Sequence, residues 1–505
     1  MFSKVLVANR GEIAARIIQT LRVMGMASVA VYSESDATTP HVTLADQAVP
    51  LAGQTAEETY LDIPKIIQAA RDSGADAVHP GYGFLSENPM FARACQDAGL
   101  TFIGPSPESM EALGDKLRSK EIAIEAGVPV VPSSAACLPG DADVAEFVGE
   151  WGFPLLVKAA AGGGGRGMRL VHRQDELNGA MESASRESQA AFGDGRVFVE
   201  RYVTQPRHVE VQVLADGQGH TIHLGERECS IQRRHQKIVE ETPSPALAPQ
   251  LRQIMGDAAV AVARGAGYVN AGTVEFLLDA RSGDYYFLEM NARLQVEHPI
   301  TEAVLGLDMV EWQVRIASGE PLSLRQQDID PRGHAVECRI YAEDPYHDFV
   351  PSTGSLLRWR PPGGPGLRLD SGVSEGQEIT IHYDPMLAKL TAWGPDRATA
   401  LGRMDEALSR FQVLGVVTNI PLLRRVVTHP QFRTGEYDTG FLEWNPAVTT
   451  PAVAEQARLL ARAVAAWAAD RPAITRESQP GPDSPAGTGP ANPGPWDSAG
   501  GRRLP

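Results

Sequence analysis

Short β-branched runs alternate with helix-period segments through the first hundred residues. Lys4–Ala8 reads as a strand, Glu12–Met24 repeats Ile13, Ile17 and Leu21 every four residues, and Ser28–Tyr32 is strand-like again. Such alternation predicts helices packed on a parallel sheet, an α/β layer. Ala75–His79 is a further strand, ending in Pro80-Gly-Tyr-Gly83. Ligands of open α/β sheets gather beyond the carboxyl ends of strands, so the His79–Asn88 loop is a candidate wall of a site. The pattern changes at Gly114, where a helix over Asp115–Ala126 gives way to Pro129, Pro132 and a strand at Leu155–Lys158.

These shifts divide the chain into 1–114, a Rossmann-like N-terminal domain; 115–332, with an inserted subdomain at 131–203 whose size and glycine content suit a lid; 333–446; and a tail, 447–505. Strand-rich sequence from about residue 204 to 300 is expected to form the main sheet. His334–Trp444 carries its own strands and a helix over Arg397–Phe411. In the tail, Ala454–Ala469 reads as an alanine-rich helix and Ser478–Leu504, dominated by Pro, Gly and Ser, as a linker.

Bulk composition then narrows the function. A chain of 505 residues exceeds one core, so a site buried between domains is available. Cys95, Cys137, Cys229 and Cys338 lack CxxC spacing, which argues against a disulfide framework or zinc site and favours a reducing compartment, the cytoplasm. Met1 leads straight into a strand, without the basic and apolar regions of a secretion signal, and no run of about 18 apolar residues occurs. A net charge of −17 disfavours nucleic-acid binding, so small-molecule substrates are expected, with neither nucleic acid nor membrane as partner.

Four segments carry chemistry. Ala161–Met168 (AGGGGRGM) follows the strand ending at Lys158, and its backbone N–H groups can approach phosphate closely. Taken alone, it is as readily a flexible hairpin; it is neither a Walker A loop nor a dinucleotide fingerprint. Thr273–Leu278, the turn Asp279–Asp284 and Tyr285–Met290 form a hairpin in which Glu275 and Glu289 are nearly equidistant from the turn. Two facing carboxylates repel unless a divalent cation sits between them, and Mg²⁺ prefers such oxygen ligands shared with phosphates. Beyond Glu289 a period of two continues the strand, setting Asn291, Arg293, Gln295 and Glu297 on one polar face. There Arg293 can hold bicarbonate while Glu297 removes its proton. Arg227–Lys237 is basic, short and free of aromatics, which suits phosphate and anion contacts better than nucleic acid. His208 alone reads as a structural histidine.

Together, Ala8-Asn-Arg-Gly-Glu-Ile13, His79–Asn88, the glycine run, Glu228–Lys237 and Glu289–His298 closely resemble biotin carboxylase over residues 1–446. The resemblance implies an ATP-grasp fold, ATP, bicarbonate and Mg²⁺ (or Mn²⁺) as requirements, and biotin as substrate. It implies that Lys116, Lys158 and His208 bind ATP phosphates beneath a lid formed by the glycine run, including Gly163, Gly164 and Gly165. Met168, Glu200, Val203 and Leu277 match the adenine pocket, and Gln232 and His235 the ribose contacts. Glu275 and Glu289, with Asn291 nearby, match the metal ligands. Lys237, Arg293, Gln295 and Val296 resemble the bicarbonate site, Glu297 matches the base, and Arg339 the residue that stabilises the biotin enolate, with Tyr82 and Gly83 bordering the ureido ring. No Met-Lys-Met sequence, the usual biotinylation signal, occurs, so biotin is expected on a carrier protein or on a carrier domain outside this sequence. A carboxyltransferase subunit and a homodimer or larger complex are the expected partners. Tyr383–Lys389 and Thr418–Leu422 resemble the α subunits of propionyl- or methylcrotonyl-type acyl-CoA carboxylases.

Overall fold

The computed structural model describes residues 1–140, 143–160 and 168–450. The glycine run from Ala161 to Gly167, with Gly163, Gly164 and Gly165, lies outside the described residues, as do the helix expected at Ala454–Ala469 and the Ser478–Leu504 linker.

The N-terminal segment forms the expected parallel layer. Strands β1 (Lys4–Val7), β2 (Ala27–Tyr32), β3 (Gln47–Pro50), β4 (Ala77–His79) and β5 (Thr101–Phe102) make a sheet of order β3-β2-β1-β4-β5, with every pairing parallel. The helix Gly11–Val23 buries Ile13, Ile17 and Leu21 against it, together with Ala14 and Ile18. After β4 the chain enters the loop expected to wall a site. The loop ends at Asn88, whose side chain accepts from the Met90 and Phe91 N–H groups and so starts the helix Pro89–Asp97.

Asp115 caps the helix Lys116–Glu125 in the same way. Then β6 (Leu155–Ala159), β7 (Arg169–Val171) and β8 (Val197–Arg201) form a small antiparallel sheet, order β7-β6-β8. It has its own apolar core, in which Leu155, Val157, Val171, Val197 and Val199 pack on Leu177 and Met181 of the helix Gln174–Phe192.

The main sheet is antiparallel and eight-stranded. It takes β9 (Pro206–Ala215), β10 (Thr221–Arg233), β11 (Gln236–Thr242), β12 (Asn270–Asp279), β13 (Tyr285–Asn291) and β14 (His334–Tyr341), with two later strands, Leu367–Ser371 and Met386–Gly394. Their order is β13-β12-β9-β10-β11-β14, then Met386–Gly394, then Leu367–Ser371. Pairing of Val239 with Cys338 carries the sheet across residues 332 and 333, where a domain boundary is expected from the sequence. Alternation within β9 builds the site: Val209, Val211 and Val213 bury one face in the core, while His208, Glu210 and Gln212 line the other. No helix among the described residues is long and apolar enough to cross a membrane.

Candidate active site

A row of charged residues crosses the main sheet in register: Glu289 of β13 lies opposite Glu275 of β12, Glu275 opposite Glu210 of β9, and Glu210 opposite Arg227 of β10. The facing pair Glu275 and Glu289 is therefore placed as the hairpin spacing predicts. Arg227 is completely buried; it binds Glu210, donates to Gln212 Oε1 at 2.8 Å and Thr301 Oγ1 at 3.0 Å, and reaches Thr273 Oγ1 at 3.1 Å.

Lys237, opposite Gln232 across the β10–β11 turn, is the hub. Its ammonium contacts Glu210, lies 2.8 Å from Glu275 Oε1 and 2.8 Å from Glu297 Oε1. Burial disfavours its charge, but the three carboxylates outweigh that and hold its pKa well above the ordinary value. Glu275 also takes bonds from Asn291 Nδ2 at 2.9 Å and Gln295 Nε2 at 3.2 Å, and its Oε2 lies 2.8 Å from His208 Nε2. Burial would raise the Glu275 carboxyl; Lys237 and His208 hold it well below the usual range instead. Glu289 has no hydrogen bond or ion pair to a described residue, and burial together with Glu275 pushes its pKa up.

The period-two continuation of the strand to Glu297 does not hold. β13 ends at Asn291, and Glu297 occupies the N-cap position of the helix His298–Leu305. The polar side chains converge all the same, because Arg293 ties the connecting segment together. Its Nη2 donates to Asn291 Oδ1 and its Nη1 to Gln295 Oε1, both at 2.9 Å, while Nε reaches Glu87 Oε2 at 2.9 Å. Glu87 comes from the His79–Asn88 loop and also accepts from the Ala292 N–H at 3.0 Å. The Val296 carbonyl accepts from Lys389 Nζ at 2.8 Å. Glu297 is completely buried and is gripped on its other oxygen by Arg339 Nη2 at 3.0 Å. Burial opposes its charge, but Lys237, Arg339 and Arg227 hold its pKa well below the usual carboxylate range.

A second cluster lies on the small sheet. Glu200 of β8 receives Lys120 Nζ at 2.6 Å and contacts Lys158 of β6. Lys116 starts the adjoining helix, its pKa lowered by burial, partly offset by Glu289. Val203 is buried just beyond β8, and Met168 and Leu277 are partly covered. Gln232 donates to the Cys229 carbonyl at 2.9 Å and contacts His208 Nδ1 at 2.8 Å. Gln232 and His235 line a cavity of about 310 Å³ that Tyr202, Phe349 and Trp444 also border. Tyr82 is partly buried, its ring 5.6 Å from Lys389 Nζ, and Gly83 beside it takes a φ of +68°.

Most cations of the basic stretch Arg227–Lys237 are paired with carboxylates of the protein itself. Arg227 pairs with Glu210, Arg233 with Glu343 and Arg234 with Asp348, while Lys237 is shared among Glu210, Glu275 and Glu297. Five residues that complete the site escape sequence reasoning: Glu87, Lys120, Glu210, Glu240 and Lys389. Glu210 has a legible signal, since His208, Glu210 and Gln212 alternate with three valines. Glu87 falls in the His79–Asn88 loop, already a candidate wall of the site, whereas Lys120, Glu240 and Lys389 are partners supplied by distant segments and have no local signature.

Residues 1–110 match the family described as the biotin carboxylase N-terminal domain, 337–444 the biotin carboxylase C-terminal domain, and 115–325 the ATP-binding domain of the carbamoyl-phosphate synthase L chain. A biotin carboxylase of Nostoc sp. is 50% identical over 442 residues, covering 88% of this chain and 99% of its own. The propionyl-CoA carboxylase alpha chain of Ruegeria pomeroyi is 48% identical over 462 residues, 88% of this chain and 68% of its own. Among solved structures, the biotin carboxylase domain dimer of Hydrogenobacter thermophilus 2-oxoglutarate carboxylase, crystallised with MgADP, ADP and bicarbonate, superposes with a TM-score of 0.85 at 47% identity, covering 90% of this chain and all of that one. The fold is that of an ATP-grasp ligase. The chain belongs to the biotin carboxylase family.

Proposed function

We propose that this site carboxylates biotin with ATP and bicarbonate, by way of carboxyphosphate, as the first half-reaction of an acyl-CoA carboxylase. The observation that carries this reading is the convergence of Lys237 and Arg339, from neighbouring strands, on the single buried carboxylate Glu297 beside Arg293 and Gln295. Two cations and an ionised base around one point suit an anion that must be both held and deprotonated.

In this reading Lys116, Lys158 and His208 bind the ATP phosphates, and the 131–203 segment, with Gly163, Gly164 and Gly165, acts as a lid. Met168, Glu200, Val203 and Leu277 receive the adenine, Gln232 and His235 the ribose. Glu275 and Glu289, with Asn291, fit a divalent cation. Lys237 already supplies a positive charge between Glu210, Glu275 and Glu297, whereas Glu289 has no such partner and its ionisation is disfavoured. Mg²⁺ or Mn²⁺ held there neutralises phosphate charge during phosphoryl transfer.

Bicarbonate lies against Lys237, Arg293, Gln295 and the Val296 backbone. As the anion draws on Lys237 and Arg339, these cations stabilise Glu297 less, its proton affinity rises, and it becomes able to take the bicarbonate proton. The oxygen attacks the γ-phosphorus, releasing ADP and forming carboxyphosphate. Carboxyphosphate breaks down to CO₂ and phosphate; the phosphate removes the N1′ proton of biotin, and the ureido enolate, stabilised by Arg339 with Tyr82 and Gly83 at its border, captures CO₂. Lid closure excludes the water that would hydrolyse the intermediate.

Biotin arrives on a carrier protein or domain, and a carboxyltransferase subunit consumes the carboxybiotin, within a homodimer or larger complex. The segments Tyr383–Lys389 and Thr418–Leu422 support an acyl-CoA as final acceptor; the likeness to a 2-oxoglutarate carboxylase domain supports a second reading, an oxo acid acceptor through the same half-reaction. Incorporation of labelled bicarbonate into free biotin, followed by mass spectrometry, tests the half-reaction. Label in biotin only when ATP and Mg²⁺ are present is the expected result, and label that never enters biotin refutes it.

A further inference from the structure

Arg339 is held by two carboxylates, and the reaction proposed above uses only one. Its Nη2 donates to Glu297 Oε2 at 3.0 Å, and its Nε donates to Glu240 Oε1 at 2.6 Å. Glu240 is completely buried on β11 and lies directly opposite Glu337 of β14. When Glu297 takes the bicarbonate proton it becomes neutral, and its bond to Arg339 loses the charge assistance that made it strong. With no second anchor, a guanidinium on a flexible stem would then regain rotamer freedom just before the enolate needs it.

We infer that Glu240 is a positioning residue for the carboxylation step: it keeps Arg339 aimed at the ureido oxygen while Glu297 is protonated, with Glu337 carrying the proton of the buried carboxyl pair. The inference rests on the roles proposed above for Glu297 and Arg339. The surroundings divide the pair in the required sense. Glu240 accepts directly from the Arg339 guanidinium, whereas Glu337 accepts from the neutral Thr391 hydroxyl at 2.9 Å and feels the Lys389 charge without a hydrogen bond to it among the described residues; one oxygen of each carboxyl has no hydrogen-bond partner among the described residues. Burial pushes Glu240 up to about 7 against the pull of Arg339, and pushes Glu337 well above the usual carboxylate range. Two adjacent buried carboxyls share one proton more readily than both ionise. The charge therefore stays on Glu240, next to the guanidinium it steers.

The test compares Glu240→Gln, Glu337→Gln, Arg339→Met and the Glu240→Gln/Arg339→Met double variant. Steady-state ADP release is measured with ATP, bicarbonate and Mg²⁺, with and without free biotin. Glu240→Gln is expected to lower biotin-dependent kcat about tenfold, with the KM for ATP unchanged and a loss at least about threefold smaller in the biotin-independent rate. Glu337→Gln, which mimics the protonated partner, stays within about twofold of the parent, and in the Arg339→Met background Glu240→Gln adds less than about twofold. Glu240→Asp keeps the charge, so it covers the case in which the Gln variant fails to fold, and it is expected to retain more biotin-dependent activity. Equal losses with and without biotin, or losses that multiply in the double variant, overturn the positioning role. A parent enzyme whose ADP release ignores biotin overturns the underlying reaction instead.

Discussion

The Lys237 ammonium, carried on a strand, stands 2.8 Å from Glu297, which begins a helix. This contact ties the base to the same cation that neutralises Glu210 and Glu275. Lys237→Met keeps the stem and deletes the charge. Three buried carboxylates then lose their common partner, so bicarbonate-dependent ATP cleavage is expected to fall by about 100-fold or more, with the midpoint of thermal unfolding lowered as well. Steady-state kinetics and a melting curve on the same preparation check both.

Glu87 reaches from the loop after β4 to Arg293 Nε. Among the described residues it pairs with no other charged residue of the site, so Glu87→Gln is expected to loosen Arg293 without disabling the base. The predicted signature is a KM for bicarbonate raised about tenfold, with kcat changed less than about threefold. Varying bicarbonate at saturating ATP measures it.

Arg227 and Glu210 form a fully buried ion pair. Removing Arg227 leaves Glu210 with only Lys237, which also serves Glu275 and Glu297, and Arg227→Met is expected to cost about 3–5 kcal/mol of stability. Adding Glu210→Gln recovers part of that loss in denaturant titrations, because Lys237 then has two carboxylates to neutralise instead of three.

Glu241 is expected to contribute to stability in acid. It binds His334 Nε2 at 2.6 Å and Arg397 through Nε at 2.6 Å and Nη2 at 2.9 Å, with the Tyr437 hydroxyl as a further donor. Burial raises its carboxyl, but His334 and Arg397 dominate and lower it to about 2. A folded-state value below the unfolded one contributes stability that is complete above the unfolded carboxylate range and lost as pH falls through the folded value. The window is therefore about pH 4.5 down to about 2, with roughly 3 kcal/mol at stake. Unfolding free energies measured across this window should fall steeply in the parent and less steeply in Glu241→Gln.

Much of the fold is legible in the sequence where one periodicity dominates. Ile13, Ile17 and Leu21 mark their helix because a helix on a sheet must bury one stripe, and Glu275 faces Glu289 because a hairpin fixes register from its turn. The four-residue edge strand Gln47–Pro50 escapes because it is mostly exposed and lacks alternation. The segment from Asn291 to Glu297 misleads for a different reason. Polar residues at every second position read as a strand face, but here a turn and a helix cap gather them around Glu275 and Lys237. The ion pairs Arg293–Glu87 and Arg339–Glu240 span 206 and 99 residues; neighbouring strands of the main sheet bring the second together, and the first joins segments that follow strands of two different sheets.

The most direct test is ADP release by the purified protein with Mg²⁺, ATP and bicarbonate, with and without free biotin, alongside Glu297→Gln. The expected result is bicarbonate-dependent release that biotin stimulates and that drops by about 100-fold or more in the variant. Release that ignores biotin, or that survives the loss of Glu297, would contradict the assignment of this site.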